Sequence, residues 1–151
     1  MLILILSLLA PVLASTLSPK SAPHLCLSQS GEPGSAPLSL LNCKDAGAWR
    51  RDDCAFLWQR DETWCLGAGL KQIHPYLDYR ACDGDNTEVY RCNTAGIGWF
   101  PDETGQVRAS DAAFCLDVRD GKFELGARVQ IWSCHEVGHK DFGSQQWVIS
   151  E

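Results

Sequence analysis

Hydrophobic and polar residues alternate along short stretches of the chain, with a period of two residues. The clearest case is Arg128–Trp132. Val129 and Ile131 share one face of the strand that this pattern predicts, and Gln130 and Trp132 share the other. Similar segments bounded by Gly, Pro, Asp or Asn predict further strands at Leu38–Asn42, Glu88–Arg91 and Gly105–Arg108. Since no window keeps a helical apolar period, short strands and turns predict a closed or sandwich-like all-β fold.

The start of the chain has the pattern of a secretory signal. Residues 1–14 contain no charged side chain, and they hold an apolar run at 2–6. Small residues at 12–14 suit a signal-peptidase site, and the apolar run is too short to span a bilayer. We therefore predict a cleaved signal at 1–14, a flexible Ser- and Pro-rich N-terminus at 15–23, and a domain at 24–151. The protein is expected to be secreted and extracellular, without membrane insertion.

Composition narrows the class of protein. The chain left after cleavage is long enough for one compact domain and too short for two ordinary ones. A net charge of -6 argues against nucleic acid and anionic membranes as partners. The eight cysteines all follow the predicted signal, which indicates an oxidising compartment and up to four disulfides. Since no two cysteines have the CxxC spacing, neither a redox motif nor a zinc ribbon is expected.

Three segments of the chain begin alike, each with a cysteine followed by leucine. They are His24–Leu27, Thr63–Leu66 and Ala112–Leu116. The spacing from Trp49 to Cys65 equals that from Trp99 to Cys115, at 16 residues. Such phasing predicts three copies of a unit of roughly 40–50 residues. We place the repeats at about 24–61, 62–110 and 111–151.

The third repeat carries a family resemblance. Its sequence reads Cys115-Leu-Asp-Val, then Val129-Gln-Ile-Trp-Ser-Cys134, then Gln145-Gln-Trp147. This resembles the third repeat of ricin-B-type β-trefoil lectins. The resemblance extends from Cys26 to the end of the chain, and is strong over 111–149. It implies a disulfide-stabilised β-trefoil whose Q-x-W tryptophans (Trp147, with Trp49 and Trp99 at the matching positions) pack in the core. It also implies a carbohydrate-binding protein, with glycans or glycoproteins as partners, no cofactor and no catalytic activity.

The resemblance assigns a carbohydrate-binding role to five residues of the third repeat. Asp117 would accept hydrogen bonds from two sugar hydroxyls, and Trp132 would stack on the sugar ring. Gln145 would support Asp117 or the ligand, and Gln130 would act similarly. Ser144 stands where the family usually has asparagine, which shortens the reach to a hydroxyl. The sugar class implied is galactose or GalNAc.

These residue types suit a saccharide, which offers a patch of C–H groups and a set of hydroxyls. An aromatic face packs against the C–H patch, a carboxylate accepts from adjacent hydroxyls, and amides both donate and accept. Each residue also has a structural interpretation. Asp117 could cap the turn before Gly121, and Trp132 could lie in the core.

The first two repeats depart from this pattern. Gly47 and Ile97 stand where the Q-x-W glutamine belongs, and Ser28 and Gly67 stand in place of the aspartate. We therefore expect those repeats to have kept the fold and lost the site, which leaves one site in the third repeat.

The family spacing implies the disulfides Cys26–Cys43 and Cys115–Cys134. The other four cysteines have two arrangements, and the preferred one is Cys65–Cys82 with Cys54–Cys92. It is favoured because the sequence around these residues also resembles the cysteine-rich domain of mannose-receptor-type proteins. Cys65–Cys92 with Cys54–Cys82 remains open.

Residues 135–139 spell HEVGH, a formal match to the HExxH motif of zinc proteases. That chemistry requires both histidines on one face of a helix. Here the motif directly follows a predicted strand, and Gly138 and Gly143 suit a loop. We expect a polar loop near the sugar site, no assigned metal ligand and no enzyme activity, and adventitious metal binding by His135 and His139 stays open.

A second functional class stays open: a secreted trefoil that binds a protein partner, as an inhibitor or effector, without recognising sugar. If the protein is a lectin, a single shallow site has a dissociation constant on the order of millimolar. Useful avidity would then require several sites, so a homo-oligomer is a hypothesis.

Overall fold

The structure is a computed structural model that describes residues 14–29, 38–52, 55–60, 64–68, 87–91, 98–109 and 114–151. These residues form β1 (Thr16–Pro19), β2 (Leu25–Ser28), β3 (Ser39–Asn42), β4 (Trp49–Asp52), β5 (Ala55–Trp58), β6 (Trp64–Ala68), β7 (Thr87–Arg91), β8 (Trp99–Pro101), β9 (Val107–Ala109), β10 (Phe114–Val118), β11 (Val129–Ser133) and β12 (Trp147–Ser150). Two 3-10 turns lie at Arg119–Gly121 and Phe142–Gln145. The predicted all-β class is confirmed, and no helix of the described ranges is long and apolar enough to cross a membrane.

The strands pair in three groups. Strands β4 to β7 form one four-stranded antiparallel sheet, and β8 to β11 form another. The third group consists of two two-stranded sheets and brings together the two ends of the described chain. In it β12 pairs with β1, and β2 pairs with β3. The first strand of each group (β4, β8 or β12) therefore begins with a tryptophan. The repeats predicted from the cysteines start two strands later than these groups do. The same threefold pattern is divided at a different point.

The three tryptophans Trp49, Trp99 and Trp147 tie these groups to one core. Each is buried, with 0%, 1% and 5% exposure respectively. Each indole N–H donates to the carbonyl oxygen of the leucine after a repeat's first cysteine: Trp49 to Leu27 at 3.1 Å, Trp99 to Leu66 at 3.0 Å and Trp147 to Leu116 at 2.9 Å. At all three positions the indole ring is thus buried in the core while its N–H is hydrogen-bonded. The predicted core role of these tryptophans is confirmed.

The N-terminal segment is ordered where its composition predicts flexibility. Thr16–Pro19 forms β1 along β12, and Leu17 is fully buried. Ser15 exchanges two backbone hydrogen bonds with Trp49. The prediction of flexibility for 15–23 is wrong over these residues, because Leu17 packs in the core and β12 would otherwise have an unpaired edge. Residues 1–13 of the predicted signal lie outside the described ranges.

Two predicted disulfides are confirmed, Cys26–Cys43 and Cys115–Cys134. In each disulfide, one cysteine lies on a strand (β2 or β10). The other cysteine directly follows the strand that pairs with it (β3 or β11). Cys65 is also disulfide-bonded. The remaining cysteines Cys54, Cys82 and Cys92 lie outside the described residues, so their pairing stays a prediction.

Replacing both Cys115 and Cys134 by alanine should lower the free energy of unfolding by about 2–4 kcal/mol, because the bridge closes a loop in the unfolded chain. Urea denaturation of the purified protein measures this loss. The matched control is the double alanine variant of Cys26 and Cys43, whose separation of 17 residues is close to the 19 of the first pair. A bridge that contributes nothing would leave the urea midpoint unchanged.

Candidate functional site

The candidate site lies on the paired strands β10 and β11. Asp117 stands directly opposite Gln130, and Cys115 stands opposite Trp132. Because side chains alternate along a strand, Asp117, Gln130 and Trp132 share one face of this pair. The other face is part of the core, where Leu116 and Ile131 are buried. Trp132 is half-buried, as a side chain at the edge of a pocket would be.

The carboxylate of Asp117 is held by one side chain at each oxygen. Gln130 Nε2 donates to Oδ1 at 2.9 Å, and Ser144 Oγ donates to Oδ2 at 2.7 Å. Ser144 belongs to the 3-10 turn Phe142–Gln145, which covers this face of β10. Asp117 therefore does not cap the turn at Arg119–Gly121, which has no side-chain cap.

Asp117 is 3% exposed, so its ionised form is costly. Burial raises the pKa of this carboxyl above its ordinary value, although hydrogen bonds from Ser144, Gln130 and Gln145 and the charge of His135 act in the opposite direction. The side chains that donate to it are a neutral hydroxyl and neutral amides. A buried carboxylate without a cationic hydrogen-bond partner destabilises a fold, and such groups concentrate at functional sites.

Gln145 holds the loop that follows β11. Its side chain is fully buried, and its Nε2 donates to the carbonyl oxygen of Ser133 at 3.0 Å. Its Oε1 accepts from the backbone N–H of His135 at 2.8 Å and from Gln106 Nε2 at 2.9 Å. These bonds use most of the capacity of the amide. Gln145 thus lies in a supporting position beneath the site.

Gln106 also belongs to the hydrogen-bond network around Gln145, and the sequence does not predict this role. It is 1% exposed, and its Nε2 also donates to the carbonyl oxygen of His135 at 2.9 Å. Arg108 Nη2 donates to its Oε1 at 2.8 Å. The signal in the sequence was the alternation around Val107, which puts Gln106 and Arg108 on one face. Alternation alone could not show that this face meets the loop after β11.

Asp102 anchors the outer end of the same network. Its carboxylate accepts from Arg108 Nε at 2.8 Å and from Thr104 and the backbone N–H of Gln106. Burial acts to raise the pKa of Asp102, but the hydrogen bonds from Thr104, Arg108 and Gln106 outweigh it and lower this pKa. Asp102 and Asp117 are therefore two acids of the β8–β11 group whose pKa values shift in opposite directions.

The matching position of the first repeat lacks this arrangement. Ser28, which replaces the aspartate, accepts a hydrogen bond from the backbone N–H of Gly47 at 2.9 Å. A side chain at Gly47 would overlap the ring of Trp58. The first repeat therefore has no carboxylate at the position that matches Asp117, and no space for a glutamine at position 47. In the second repeat, Gly67 lies on β6 without a polar side chain, and Ile97 lies outside the described residues.

The HEVGH segment forms a loop. A turn from Glu136 to His139 is closed by a backbone hydrogen bond of 3.0 Å, with Gly138 at a φ of 94° that favours glycine. The turn brings the rings of His135 and His139 into a parallel stack, with centroids 4.2 Å apart. The helical arrangement of a zinc protease is therefore not formed here.

Comparison with known proteins places this architecture. No protein-family model matches the sequence. The chain is similar to the solution structure of the mdaA-1 domain, with a TM-score of 0.65, 16% identity, and coverage of 93% of this chain and 90% of that one. It is also similar to ThreeFoil, a designed 3-fold symmetric protein, with a TM-score of 0.63, 16% identity, and coverage of 91% of this chain and 98% of that one. The fold is a β-trefoil.

A third similar structure is that of a mosquitocidal holotoxin, with a TM-score of 0.67 and 15% identity. The match covers 93% of the present β-trefoil but 17% of the holotoxin chain. At these identities the three structures establish the fold alone. The predicted threefold trefoil architecture is thereby confirmed.

Proposed function

We propose that this β-trefoil is a secreted lectin that binds carbohydrate reversibly through one site in its third repeat. The observation that carries the proposal is the buried carboxylate of Asp117, held by two neutral side chains beside the half-buried Trp132. The first repeat lacks these groups. No catalytic step is part of the proposal.

The hydrogen-bonding capacity of Asp117 suits sugar hydroxyls. Each carboxylate oxygen has about two acceptor positions, and Gln130 and Ser144 each occupy one. Gln145 also bonds to this carboxylate, and we assign the acceptor capacity that these three side chains leave to adjacent sugar hydroxyls. Little water reaches a carboxylate that is 3% exposed, so these charge-assisted bonds would be strong. Trp132 would provide the aromatic face for the C–H side of the sugar.

Ser144 bears on the sugar class. Its hydroxyl lies 2.7 Å from Asp117 Oδ2 and 2.7 Å from the carbonyl oxygen of Asp141, so it orients the carboxylate. A longer asparagine would instead reach toward a ligand hydroxyl. The resemblance to ricin-B-type lectins supports a galactose or GalNAc type of ligand, on glycans or glycoproteins. We expect Asp117 and Trp132 to determine most of the binding, with a homo-oligomer providing avidity.

A glycan array on the secreted protein and its Asp117→Ala variant tests the proposal. The wild type should bind a set of related glycans, and the variant should lose them. Asp45→Ala is the matched control, because it removes an exposed carboxylate of the first repeat and should bind like the wild type. Equal signals from Asp117→Ala and the wild type would favour the trefoil that binds a protein partner.

Glycan affinity should fall on acidification from pH 7 to about 4, starting at a higher pH than for an ordinary aspartate. The ionised Asp117 accepts hydroxyl protons, and its raised pKa brings protonation closer to neutrality. Titration of affinity against pH, with thermal unfolding followed in parallel, measures this.

The effect of Asp117 on stability has the opposite sign. Its folded-state pKa lies above its unfolded value, so its ionisation costs stability as pH rises between the two values, and acidification relieves that cost. Affinity should therefore decline before the melting temperature does. A decline of both in parallel would attribute the pH effect to unfolding.

A further inference from the structure

We propose that His135, His139 and Asp141 bind one divalent transition-metal ion of the Zn²⁺ type on the loop after β11. The nitrogen and oxygen atoms that these side chains offer all lie within 4.8 Å of one another. This site does not depend on the proposed sugar binding. The ion would have a structural or regulatory role at the loop.

The three side chains are brought together by a turn. The Glu136–His139 turn reverses the chain at Gly138, so that His139 stacks on His135 with an angle of 7° between the ring planes. Asp141 follows two residues later, and its Oδ2 lies 4.0 Å from His139 Nδ1. The ligand atoms of two imidazoles and a carboxylate therefore lie close together at the surface, and one imidazole must turn out of the stack for both rings to bind one ion.

The backbones of the three residues are fixed. Gln145 and Gln106 hold the N–H and the carbonyl of His135. His139 donates to Glu136, and its carbonyl accepts from Phe142. Asp141 directly precedes the 3-10 turn Phe142–Gln145, and its carbonyl accepts from the backbone N–H and the hydroxyl of Ser144. Because the backbones are held, coordination requires side-chain rotation and little further loss of chain entropy.

The chemistry of the ligands selects the ion. Imidazole suits Zn²⁺, Cu²⁺ and Ni²⁺, whereas Mg²⁺ and Ca²⁺ prefer oxygen ligands. Zinc lies about 2.1 Å from its ligands in a tetrahedral arrangement, so two ligand atoms on one ion are roughly 3.4 Å apart. The separation of up to 4.8 Å between the present ligand atoms must therefore close by about 1.4 Å. Rotation of His139 and Asp141, both exposed, can achieve this, with water completing the coordination shell.

Isothermal titration of zinc into the disulfide-bonded protein, without a histidine tag and in a non-chelating buffer, tests the site. One saturable site is expected. Replacement of His135 or His139 by alanine should weaken zinc binding at least tenfold, and Asp141→Asn should weaken it several-fold. Zinc should raise the melting temperature, EDTA should reverse the rise, and magnesium should have no effect.

Matched controls separate this site from weak binding by single histidines. His24→Ala removes an exposed histidine of the first repeat and should keep the full zinc affinity. The zinc-free melting temperature of His139→Ala should equal that of the wild type, because the side chain is exposed. No saturable binding below about 1 mM zinc, or equal affinity of the wild type and His139→Ala, would overturn the proposal.

Discussion

The Asp117→Asn variant should lose glycan binding by about a hundredfold or more while remaining as stable as the wild type, or becoming more stable. The affinity falls because the hydrogen bonds from the sugar hydroxyls would no longer be made to a charged group. Each such charge-assisted bond is worth about 1.5–3 kcal/mol. From a dissociation constant on the order of millimolar, such a loss abolishes detectable binding.

The retained stability follows from the surroundings of Asp117. Burial raises the pKa of this carboxyl, so removal of its charge relieves a desolvation cost at neutral pH. The amide can keep the local hydrogen bonds. Its oxygen can accept from Gln130, while its NH₂ donates to Ser144 Oγ, and the Ser144 proton then points to the carbonyl oxygen of Asp141.

Glycan-binding titrations and urea denaturation of the same preparations measure the two effects. Gln130→Glu is an informative companion, because it places a second carboxylate opposite Asp117 and should reduce both stability and binding. A fall in the stability of Asp117→Asn by several kcal/mol would show that the carboxylate is primarily a structural group. Unchanged glycan binding would place the ligand elsewhere.

The sequence predicts the third repeat well because its pattern is local. Alternation along Val129–Ser133 places Gln130 and Trp132 on the face opposite Ile131, as the structure has them. The resemblance to ricin-B-type lectins implied two disulfides and a core position for Trp147, and the structure has all three. Each of these inferences depends on residues that are neighbours in one strand or one hairpin.

The unpredicted features depend on contacts between distant segments. Gln106 is 39 residues from Gln145, and no sequence pattern joins the two. The strand at Thr16–Pro19 depends on its pairing with β12 and on the burial of Leu17 in the core. Ser144 was expected to weaken contact with a sugar, yet its main contact is with Asp117. Periodicity reports which face is buried and does not report what covers it.

Restoring the Q-x-W motif of the first repeat, with Gly47→Gln, should destabilise the fold by about 3 kcal/mol and create no second sugar site. The new side chain would overlap the ring of Trp58. That ring is 3% exposed and packs edge-on against Trp49, with centroids 4.9 Å apart, so it has little room to move. Overpacking a core in this way typically costs about 1–3 kcal/mol and sometimes more.

The residue opposite each group's first tryptophan differs between the groups, and it accounts for the missing glutamine of the first repeat. Trp58 lies opposite Trp49, Pro19 lies opposite Trp147, and Ala109 lies opposite Trp99. Beside Trp147 stands Pro19, which is much smaller than tryptophan, and Gln145 is fully buried there. Beside Trp49 the large indole of Trp58 fills the corresponding space. We therefore expect substitutions at Gly47 and Trp58 to be energetically coupled.

Urea denaturation of a double-mutant cycle tests this coupling. Trp58→Ala alone should cost about 3–5 kcal/mol, since it leaves a cavity. Adding Gly47→Gln to that variant should cost much less than in the wild type, because the glutamine can occupy the vacated volume. Additive losses would show that the ring of Trp58 does not exclude the glutamine. The double variant should still bind no second glycan, because Ser28 provides no carboxylate.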